Sequence, residues 1–572
     1  MLDDAASLDR DALRDRVAAL EAALAASKRE AAEARDERDR LREAYRHLQL
    51  ELELQRRRLY VAKAERIDTA QLDLEFAATL AKLEHVAEQL GEDDDRADDE
   101  PSSPNGPRRR PTGRRTLRDL PVPEERIVMI DPLLDGKAER IGAEETAQMV
   151  WRRGGMVRLV TVRIKYHPAG MPTAADADPS FRIAPVPLHI LPRSIAGPSL
   201  LAHIAAEKFC DGLPLYRQED RFKRIGAPID RGSMSRWLEE LGAIMGSSVV
   251  HAMRADALAN AFCLATDATG VLVQPAQDGT TARRACRRAH FFVQLADTDH
   301  IFFEYTAKET SAVVGELFRG FAGYVQADAK SVYDILFRPP DQRGPPDDDE
   351  VDRAVRHEVG CWSHVRTKFW EAAITKDVVA REGLARIRRI FELDRSWKGR
   401  PPVEIKALRD LHLRPHVDAF FAWVDGEYER VKGQRGFLRT ALGYAHRQRG
   451  ALVRFFDDGR LKLDNNAAER ALRRIAVGRK AWLFVGSDDH GEASGNLLGL
   501  IASARPHQLD PEAYLRDIFR VLPHWPSGRF LELCPRDWRA TRARLVPAEL
   551  ERELGPLTIP PPLPSSEQPA SR

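Results

Sequence analysis

Three acidic residues far apart in the chain have surroundings typical of metal-binding carboxylates. Asp267 stands in the apolar segment CLATDATG and Asp328 in YVQADAKS, and the alternation of both segments predicts strands that share an edge. A carboxylate in an apolar strand is costly unless a charge compensates it, which a divalent cation held by a second carboxylate does. Glu469 follows in DNNAAERALRR, where the helix-start residues DNN place it in the first turns of a helix. Considered singly, each acid has an ordinary explanation, as a turn aspartate or as a Glu469–Arg473 helix ion pair.

As a set, the three acids indicate phosphoryl-transfer chemistry. The order of a strand Asp, a second strand Asp and a helix Glu is similar to the carboxylate triad of ribonuclease-H-like nucleotidyl transferases. We expect Asp267, Asp328 and Glu469 to be both catalytic and metal-binding, holding two Mg²⁺ ions about 3.5–4 Å apart, with Mn²⁺ as an alternative. One ion would activate water and later a DNA 3′-hydroxyl, and the other would stabilise the leaving oxygen. Hard cations acting on a phosphate substrate require oxygen ligands, which carboxylates provide.

The overall composition excludes several classes of protein. A length of 572 residues allows three to five structural units, and 43% apolar residues indicate a folded chain rather than a disordered one. Five cysteines, odd in number and without a Cys-x-x-Cys pair, argue against a disulfide framework and a zinc ribbon. The acidic N-terminus and the lack of long apolar runs argue against secretion and against a membrane partner. We therefore expect a cytoplasmic protein.

The distribution of charge is more informative than its sum. A net charge of +1, from 89 Lys and Arg against 88 Asp and Glu, argues against a uniformly basic DNA-binding surface. Locally, however, residues 92–100 carry seven acids, whereas residues 107–118 carry six arginines and no acid. The arginine run is either a solvated linker or a disordered arm that contacts phosphates.

Periodicity divides the chain into the segments of a multidomain α+β protein. Apolar residues from Leu13 to Leu59 step by four and three, an a/d seam that predicts a coiled coil and a homodimer. The predicted segments are a coiled-coil and helical dimerisation region (1–90), a charged linker (91–118), a small β unit (119–190), a helical, helix-turn-helix-like DNA-binding region (191–257), the first part of a ribonuclease-H-like α/β catalytic domain (258–340), a loop and helical insertion (341–460), the last part of the catalytic domain (461–505), a C-terminal helical region (506–555) and a disordered tail (556–572).

Four local patterns give narrower expectations. Residues 125–166 alternate at period two, which predicts a small antiparallel sheet. Ser233 is the predicted N-cap of a helix, and WLFVG at 482–486 is a predicted strand between two helices. Cys361 and His364 have metal-ligand spacing, but without a partner pair they are better interpreted as a packed cysteine and a polar histidine.

Basic residues near these elements are the candidate DNA contacts. Those beside Glu469 would meet the DNA backbone if their helix lines the active groove, and otherwise form a solvated helix face. The predicted DNA-binding residues are Arg108, Arg109, Arg110, Arg114, Arg115, Arg236, Arg366, Arg473, Arg479 and Lys480.

Four sequence blocks carry a resemblance to a known family. They are KFCDGLPLYRQEDRF from Lys208, CWSHVRTKFWEA from Cys361, NNAAERALRRIAVGRKAWLFVGSDDHGE from Asn465 and LLGLIASARPHQLDPEAYLRDIF from Leu497. With them, the chain resembles a transposase of the IS66 insertion-sequence family over residues 10–545.

The resemblance implies a function, a site and partners. It implies a DDE catalytic domain with Asp267, Asp328 and Glu469 as its triad, performing Mg²⁺-dependent strand cleavage and strand transfer at the ends of a mobile element. The expected partners are the element's terminal inverted repeats, target DNA and companion proteins of the same element. The expected location is the bacterial cytoplasm, with association to the nucleoid when the protein is bound to DNA.

The chain departs from the family pattern in two places. The family typically carries a cysteine-rich zinc module after the basic linker, whereas residues 126–168 hold no cysteine, so we expect no zinc site there. Arginines still keep that unit basic enough to touch DNA. The first acid stands in TDAT rather than in an Asp-Glu-Thr-Pro-like run. Two alternatives stay open: a ribonuclease-H-like nuclease without strand transfer, and a catalytically decayed DNA-binding protein of the element.

Overall fold

The computed structural model describes residues 120–152, 154–167, 182–192, 194–274, 285–339, 342–343, 352–374 and 377–564. The predicted coiled coil and charged linker, with Arg108, Arg109, Arg110, Arg114 and Arg115, lie outside the described residues. Within these ranges the chain is a mixed α/β structure with two mixed sheets. No helix in the described ranges is both long and apolar enough to cross a membrane.

The first sheet is formed by the segment predicted as a small β unit. Its strands are β1 (Glu124–Met129), β2 (Glu139–Arg152), β3 (Gly155–His167) and β4 (Arg182–Ile183). Their order is β1-β3-β2, with β4 also paired to β3. β2 and β3 are antiparallel, but β1 runs parallel to β3, so the prediction of a wholly antiparallel sheet is wrong. Period-two alternation identifies a strand but carries no information on the direction of its neighbour.

Four helices follow the first sheet. They are α1 (Pro198–Phe209), α2 (Leu215–Arg224), α3 (Arg231–Met245) and α4 (His251–Asn260), with a π-helical turn between the last two. The predicted cap of α3 is wrong, because the N-cap is Asp230 and not Ser233. The Asp230 carboxylate accepts a hydrogen bond from Ser233 N at 3.1 Å. An N-cap side chain typically accepts from the backbone N–H three residues later in this way.

The second sheet contains the predicted acids. Its strands are β5 (Cys263–Val273), β6 (Arg287–Ala296), β7 (His300–Thr306), β8 (Gly323–Gln326) and β9 (Arg356–Val359), in the order β7-β6-β5-β8-β9. β6 is antiparallel to β5 and β7, whereas β8 and β9 are parallel to β5. Short helices α5 (Ser311–Leu317) and α6 (Asp334–Phe337) flank β8.

The edge strand β9 corrects the predicted start of the helical insertion. The sequence places that insertion at residues 341–460, yet RHEV at 356–359 pairs with β8 along its whole length. Four residues with two charges carry too little periodicity to identify a strand. The insertion therefore begins after β9.

The insertion is helical, as predicted, and has a core of its own. Its helices are α7 (Trp362–Ile374), α8 (Val378–Ser396), α9 (Pro402–Leu408), α10 (Arg414–Val431), α11 (Phe437–Arg447) and α12 (Arg449–Val453). The ring centroid of Trp362 lies 5.3 Å from that of Phe420 and 5.8 Å from that of Phe421. Such inclined aromatic contacts give the core a defined geometry. Because α7 starts directly after Cys361, this core also fixes the position of Cys361.

The chain returns to the second sheet through α13 (Asn466–Trp482) and α14 (Asp488–Ala504). The strand predicted at 482–486 does not form, since in the described residues this segment makes a single β-bridge, from Val485 to Val273. α14 packs closely on β7 and α3: a Cβ at Gly495 would overlap Phe303 O, and one at Gly242 would overlap the Ala493 backbone. Only glycine permits such an approach of two backbones.

Three helices complete the described chain. They are α15 (Pro511–Val521), α16 (Pro535–Arg542) and α17 (Pro547–Leu550). The prediction of a disordered tail from residue 556 is wrong as far as residue 564. Arg529 donates to Pro560 O at 2.9 Å, and Leu563 N donates to Glu532 Oε1 at 3.2 Å. A Pro-rich composition does not reveal partners that lie some 30 residues upstream in the sequence.

Candidate active site

The pairing of β5 with β8 brings two of the predicted acids to one level of the sheet. Paired residues of these parallel strands differ by 61 positions, as Leu264 and Val325 do. Asp267 and Asp328 have the same separation, two residues beyond the last pair. Asp267 lies within β5, whereas Asp328 lies just after β8 ends, so only the first is a strand residue as predicted.

The negative charges of Asp267 and Asp328 are only partly compensated by their surroundings. The pKa of Asp267 is raised to about 6, chiefly by burial and then by the charges of Asp328 and Glu469. Asp328 Oδ1 is buried and accepts no hydrogen bond from the described residues. A buried carboxylate oxygen without a donor, next to an aspartate that is hard to ionise, is the setting that a bound cation relieves.

Lys330 is the cation nearest to this pair that the structure identifies, and sequence reasoning missed it. Its Nζ lies 3.9 Å from Asp328 Oδ2 and 3.3 Å from Glu309 Oε1. Burial lowers the pKa of Lys330, but the charges of Asp328 and Glu309 outweigh burial, and the net shift is upward. The sequence signal was available, because a lysine two residues after a strand-end aspartate lies close to that aspartate.

Glu469 lies in the first turn of α13, as predicted. Its side chain is 42% exposed, and its Oε1 lies 3.8 Å from His364 Nε2. Within the described chain Glu469 forms no ion pair with Arg473, so the ordinary explanation of this residue does not hold. Its charge instead acts on Asp267, which connects the helix acid to the strand acids.

Asn465 attaches the start of α13 to β5. Its Nδ2 donates to Thr266 O at 2.7 Å, one residue before Asp267, and its backbone N donates to Cys361 Sγ at 3.3 Å. Asn465 is only 1% exposed. The motif DNN identifies it as a helix-start residue, but its bond to a strand 199 residues away leaves no local signal.

Gln326 makes the corresponding attachment from β8. Its Nε2 donates to Lys462 O at 2.8 Å, which holds the segment leading into α13. Gln326 is buried and stands two residues before Asp328. β5, which carries Asp267, and β8, which ends two residues before Asp328, are thus both hydrogen-bonded to the segment that presents Glu469.

Cys361, His364 and Glu469 form a close group. One potential ligand atom from each lies within 4.8 Å of the others, and Asp267 and Asp328 are not part of this group. Cys361 is 1% exposed, and burial raises the pKa of its thiol to about 11. A thiol that stays protonated is a poor metal ligand, which agrees with the interpretation of Cys361 as a packed cysteine.

The predicted DNA contacts on α13 differ in their surroundings. Arg479 Nη1 donates to Gly270 O at 2.6 Å, so part of its guanidinium is bound to β5. Lys480 and Arg473 are exposed, and no ion pair holds either one within the described residues.

The other predicted contacts lie on separate elements. Arg366 on α7 stacks on Phe391, with 5.5 Å from its Cζ to the ring centroid. Arg236 on α3 is exposed and donates to Ser233 Oγ at 3.2 Å. In the first sheet, Arg152, Arg158 and Arg163 form ion pairs with Glu125, Glu124 and Glu144. Their charge is partly neutralised, so that sheet is less basic than its arginine count indicates.

Comparison with known proteins places these residues in a family context. The family model described as "Transposase IS66 family" matches residues 193–493, and that described as "IS66 C-terminal element" matches residues 499–535. The chain is 27% identical to the uncharacterized protein y4hP of Sinorhizobium fredii (strain NBRC 101917 / NGR234), over 87% of this chain and 90% of that one. It is 26% identical to the uncharacterized protein y4qI of the same organism, over 62% of this chain and 65% of that one. The chain thus spans slightly less than two thirds of y4qI. All three predicted acids lie inside the first matched region.

Proposed function

Because the chain belongs to the IS66 transposase family, we propose that it is a DDE transposase that cuts and rejoins the ends of a mobile element. In this proposal Asp267, Asp328 and Glu469 are the catalytic carboxylates, with Mg²⁺ as their metal and DNA as the substrate. The observation that carries the proposal is the shared level of Asp267, in β5, and Asp328, just after β8, combined with a helix acid whose segment is hydrogen-bonded to both strands.

The strand arrangement supports a ribonuclease-H-like catalytic domain. The order is β7-β6-β5-β8-β9, and β6 is the one strand of this sheet that runs against the others. The first acid lies on the central strand, the second follows its parallel neighbour, and the third begins α13. The helical insertion after β9 accounts for the long separation between the second acid and the third.

The residues of the site fit a hard divalent cation. Carboxylate oxygens are the ligands that Mg²⁺ prefers, and Asp328 Oδ1 accepts no hydrogen bond from the described residues. Asp267, Asp328 and Glu469 would hold the metal. When bound, it would supply Lewis-acid activation of an attacking hydroxyl and stabilise the charge of the leaving oxygen.

The remaining residues of the site position the acids. Asn465 and Gln326 hold the start of α13 against β5 and β8 through hydrogen bonds of 2.7 and 2.8 Å. Lys330, at 3.9 Å from Asp328, offsets part of the negative charge. Exposed Arg473 and Lys480 lie on the helix that presents Glu469, where they could bind the DNA backbone.

The test uses the DNA that flanks the gene. Purified protein, Mg²⁺ and labelled duplexes carrying the flanking inverted repeats should yield both cleaved ends and ends joined to a target duplex. Asp328→Asn should reduce both products at least about 1000-fold, because the neutral amide is a poor cation ligand. Asp334→Asn is the matched control, since Asp334 is an exposed aspartate six residues further along the chain.

Two results would contradict the proposal in different ways. If Asp328→Asn cleaves and joins as well as the wild-type protein, the assignment of the acids is wrong. If the wild-type protein yields cleaved DNA without joined product, the chain is the nuclease and not the transposase.

A further inference from the structure

A concave site separate from the three acids lies along α13. We call it the basic pocket. It has a volume of about 750 Å³, within the range of about 300–1,000 Å³ typical of ligand sites. Its walls come from the end of α1, the β6–β7 turn, α13 and the end of α14.

The lining of the basic pocket is largely apolar and includes aromatic rings. Phe209 and Trp482 belong to it, together with Ile301, Ile475 and Leu498. Trp482 is partly exposed, and a Cβ at Gly478 would overlap its Nε1, so the indole folds back along α13. Aromatic and aliphatic surface of this kind stacks well with a planar base.

The rim of the basic pocket carries an excess of positive charge. Its cations are Lys208, Lys462, Arg470, Arg473, Arg474 and Arg505, against Asp211 and Asp297 as acids. None of these six cations forms an ion pair with a carboxylate of the described residues. Asp297 is already occupied, because its carboxylate accepts the backbone N–H groups of Phe262 and Cys263 at 2.8 and 3.0 Å.

Arg474 and Arg505 carry like charges and both line the basic pocket. Burial lowers the pKa of Arg474, and the neighbouring charge of Arg505 lowers it further. Arg474 Nη1 is buried, and apart from the weakly accepting Cys210 thiol it meets no acceptor in the described chain. Two guanidinium groups that line one pocket repel each other, and a bound phosphate would relieve this repulsion by accepting hydrogen bonds from them.

The basic pocket and Glu469 occupy different flanks of one helix. At 100° per residue, Ala467, Ala471 and Arg474 share the pocket side, whereas Glu469 lies about 140–160° away from them around the helix. A helix with its side chains is about 10–12 Å across. The two sites are therefore separated by about one helix diameter, a distance that a few nucleotides of a DNA strand can span.

From this we infer that the basic pocket binds one unpaired nucleotide of a DNA strand, with its base on the apolar lining and its phosphates on the arginines. The choice of DNA rests on the proposed function, whereas the chemistry of a base with phosphates rests on the pocket itself. A duplex is too wide to enter a space of about 750 Å³, so the nucleotide must be extruded or single-stranded.

The experiment measures binding without metal, so its outcome is independent of cleavage. The full-length protein in EDTA is titrated into a fluorescent oligo(dT) of about 12 nucleotides and, separately, into a duplex of equal length. The variant is Arg470→Gln with Arg505→Gln, because both side chains are exposed and their removal leaves the core intact. The control is Arg544→Gln with Arg552→Gln, two exposed arginines of the C-terminal region. Thermal melting verifies that both proteins are folded.

We expect the pocket variant to bind oligo(dT) about tenfold more weakly and the duplex within about twofold of the wild-type affinity. A 4-thiothymidine in the oligonucleotide should crosslink, on irradiation, to peptides containing Phe209 or Trp482. The inference is wrong if oligo(dT) affinity is unchanged, if duplex affinity falls equally, or if the crosslink lies elsewhere. It is also wrong if inorganic phosphate displaces oligo(dT) as well as thymidine monophosphate does, since the site would then bind phosphate alone.

Discussion

Asp267 and Asp328 lie side by side because β5 and β8 pair in parallel with a constant separation of 61 residues. Their proximity has an energetic cost. Burial together with the nearby charges of Asp328 and Glu469 raises the pKa of Asp267 to about 6. The fold keeps these carboxylates together although an uncharged pair would be more stable, which is typical of sites where function opposes stability.

The first prediction concerns Asp267 and pH. Its pKa is about 6 in the folded chain against an ordinary value of 3.8, so the folded state binds this proton more tightly. Ionisation of Asp267 therefore destabilises the fold progressively as pH rises from about 4 through 6. In EDTA, Asp267→Asn should raise the free energy of unfolding by about 1–3 kcal/mol at pH 7.5 and leave it nearly unchanged at pH 4. Urea denaturation at both pH values measures this.

Asp334→Asn again serves as the control for that experiment, because Asp334 is exposed. Equal stabilisation by both substitutions, or stabilisation by Asp267→Asn at pH 4, would contradict the conclusion that ionisation of Asp267 destabilises the folded chain.

The second prediction concerns the attachment of α13 to β5. Asn465→Ala removes a buried hydrogen bond of 2.7 Å to Thr266 O, which should cost about 1–3 kcal/mol of unfolding free energy. Because the same bond positions the start of α13, DNA cleavage should also fall at least about tenfold at a temperature where the variant stays folded. Thermal melting and the Mg²⁺-dependent cleavage assay measure the two effects.

Asn466→Ala is the matched comparison, since the adjacent residue is partly exposed and its side chain makes no such bond to the described residues. If the two variants cleave equally well, Asn465 has no positioning role.

The sequence predicts the strands and the helix that carry the three acids better than it predicts the contacts between these elements. The alternation around Asp267 and Asp328 identifies two strands, and DNN identifies the helix of Glu469, because these signals are local. The parallel direction of β1, the strand at 356–359 and the bond from Asn465 to Thr266 depend on segments distant in sequence. Pairing of this kind is set by tertiary packing, which local periodicity does not encode.

The third prediction concerns the close packing of α3 on α14. A Cβ at Gly242 would overlap the backbone of Ala493, so Gly242→Ala should lower the unfolding free energy by about 1–3 kcal/mol. A Cβ at Gly450 in α12 would meet no atom within 4 Å, so Gly450→Ala should be neutral or stabilising by up to about 1 kcal/mol. Opposite signs in thermal melting would support the packing, whereas a neutral Gly242→Ala would show that the helices can move apart.

The last prediction separates two neighbouring cations on α13. Lys480 is exposed and makes no ion pair within the described residues, so its ammonium is available to a DNA phosphate. Arg479 donates to Gly270 O at 2.6 Å, and its guanidinium is partly committed to β5. Each phosphate contact contributes about 0.9 to the slope of log affinity against log salt concentration. Lys480→Gln should therefore reduce that slope by about 0.9 for a duplex probe, whereas Arg479→Gln should leave the slope unchanged and lower the melting temperature instead. Equal slopes for Lys480→Gln and the wild-type protein would remove Lys480 from the DNA interface.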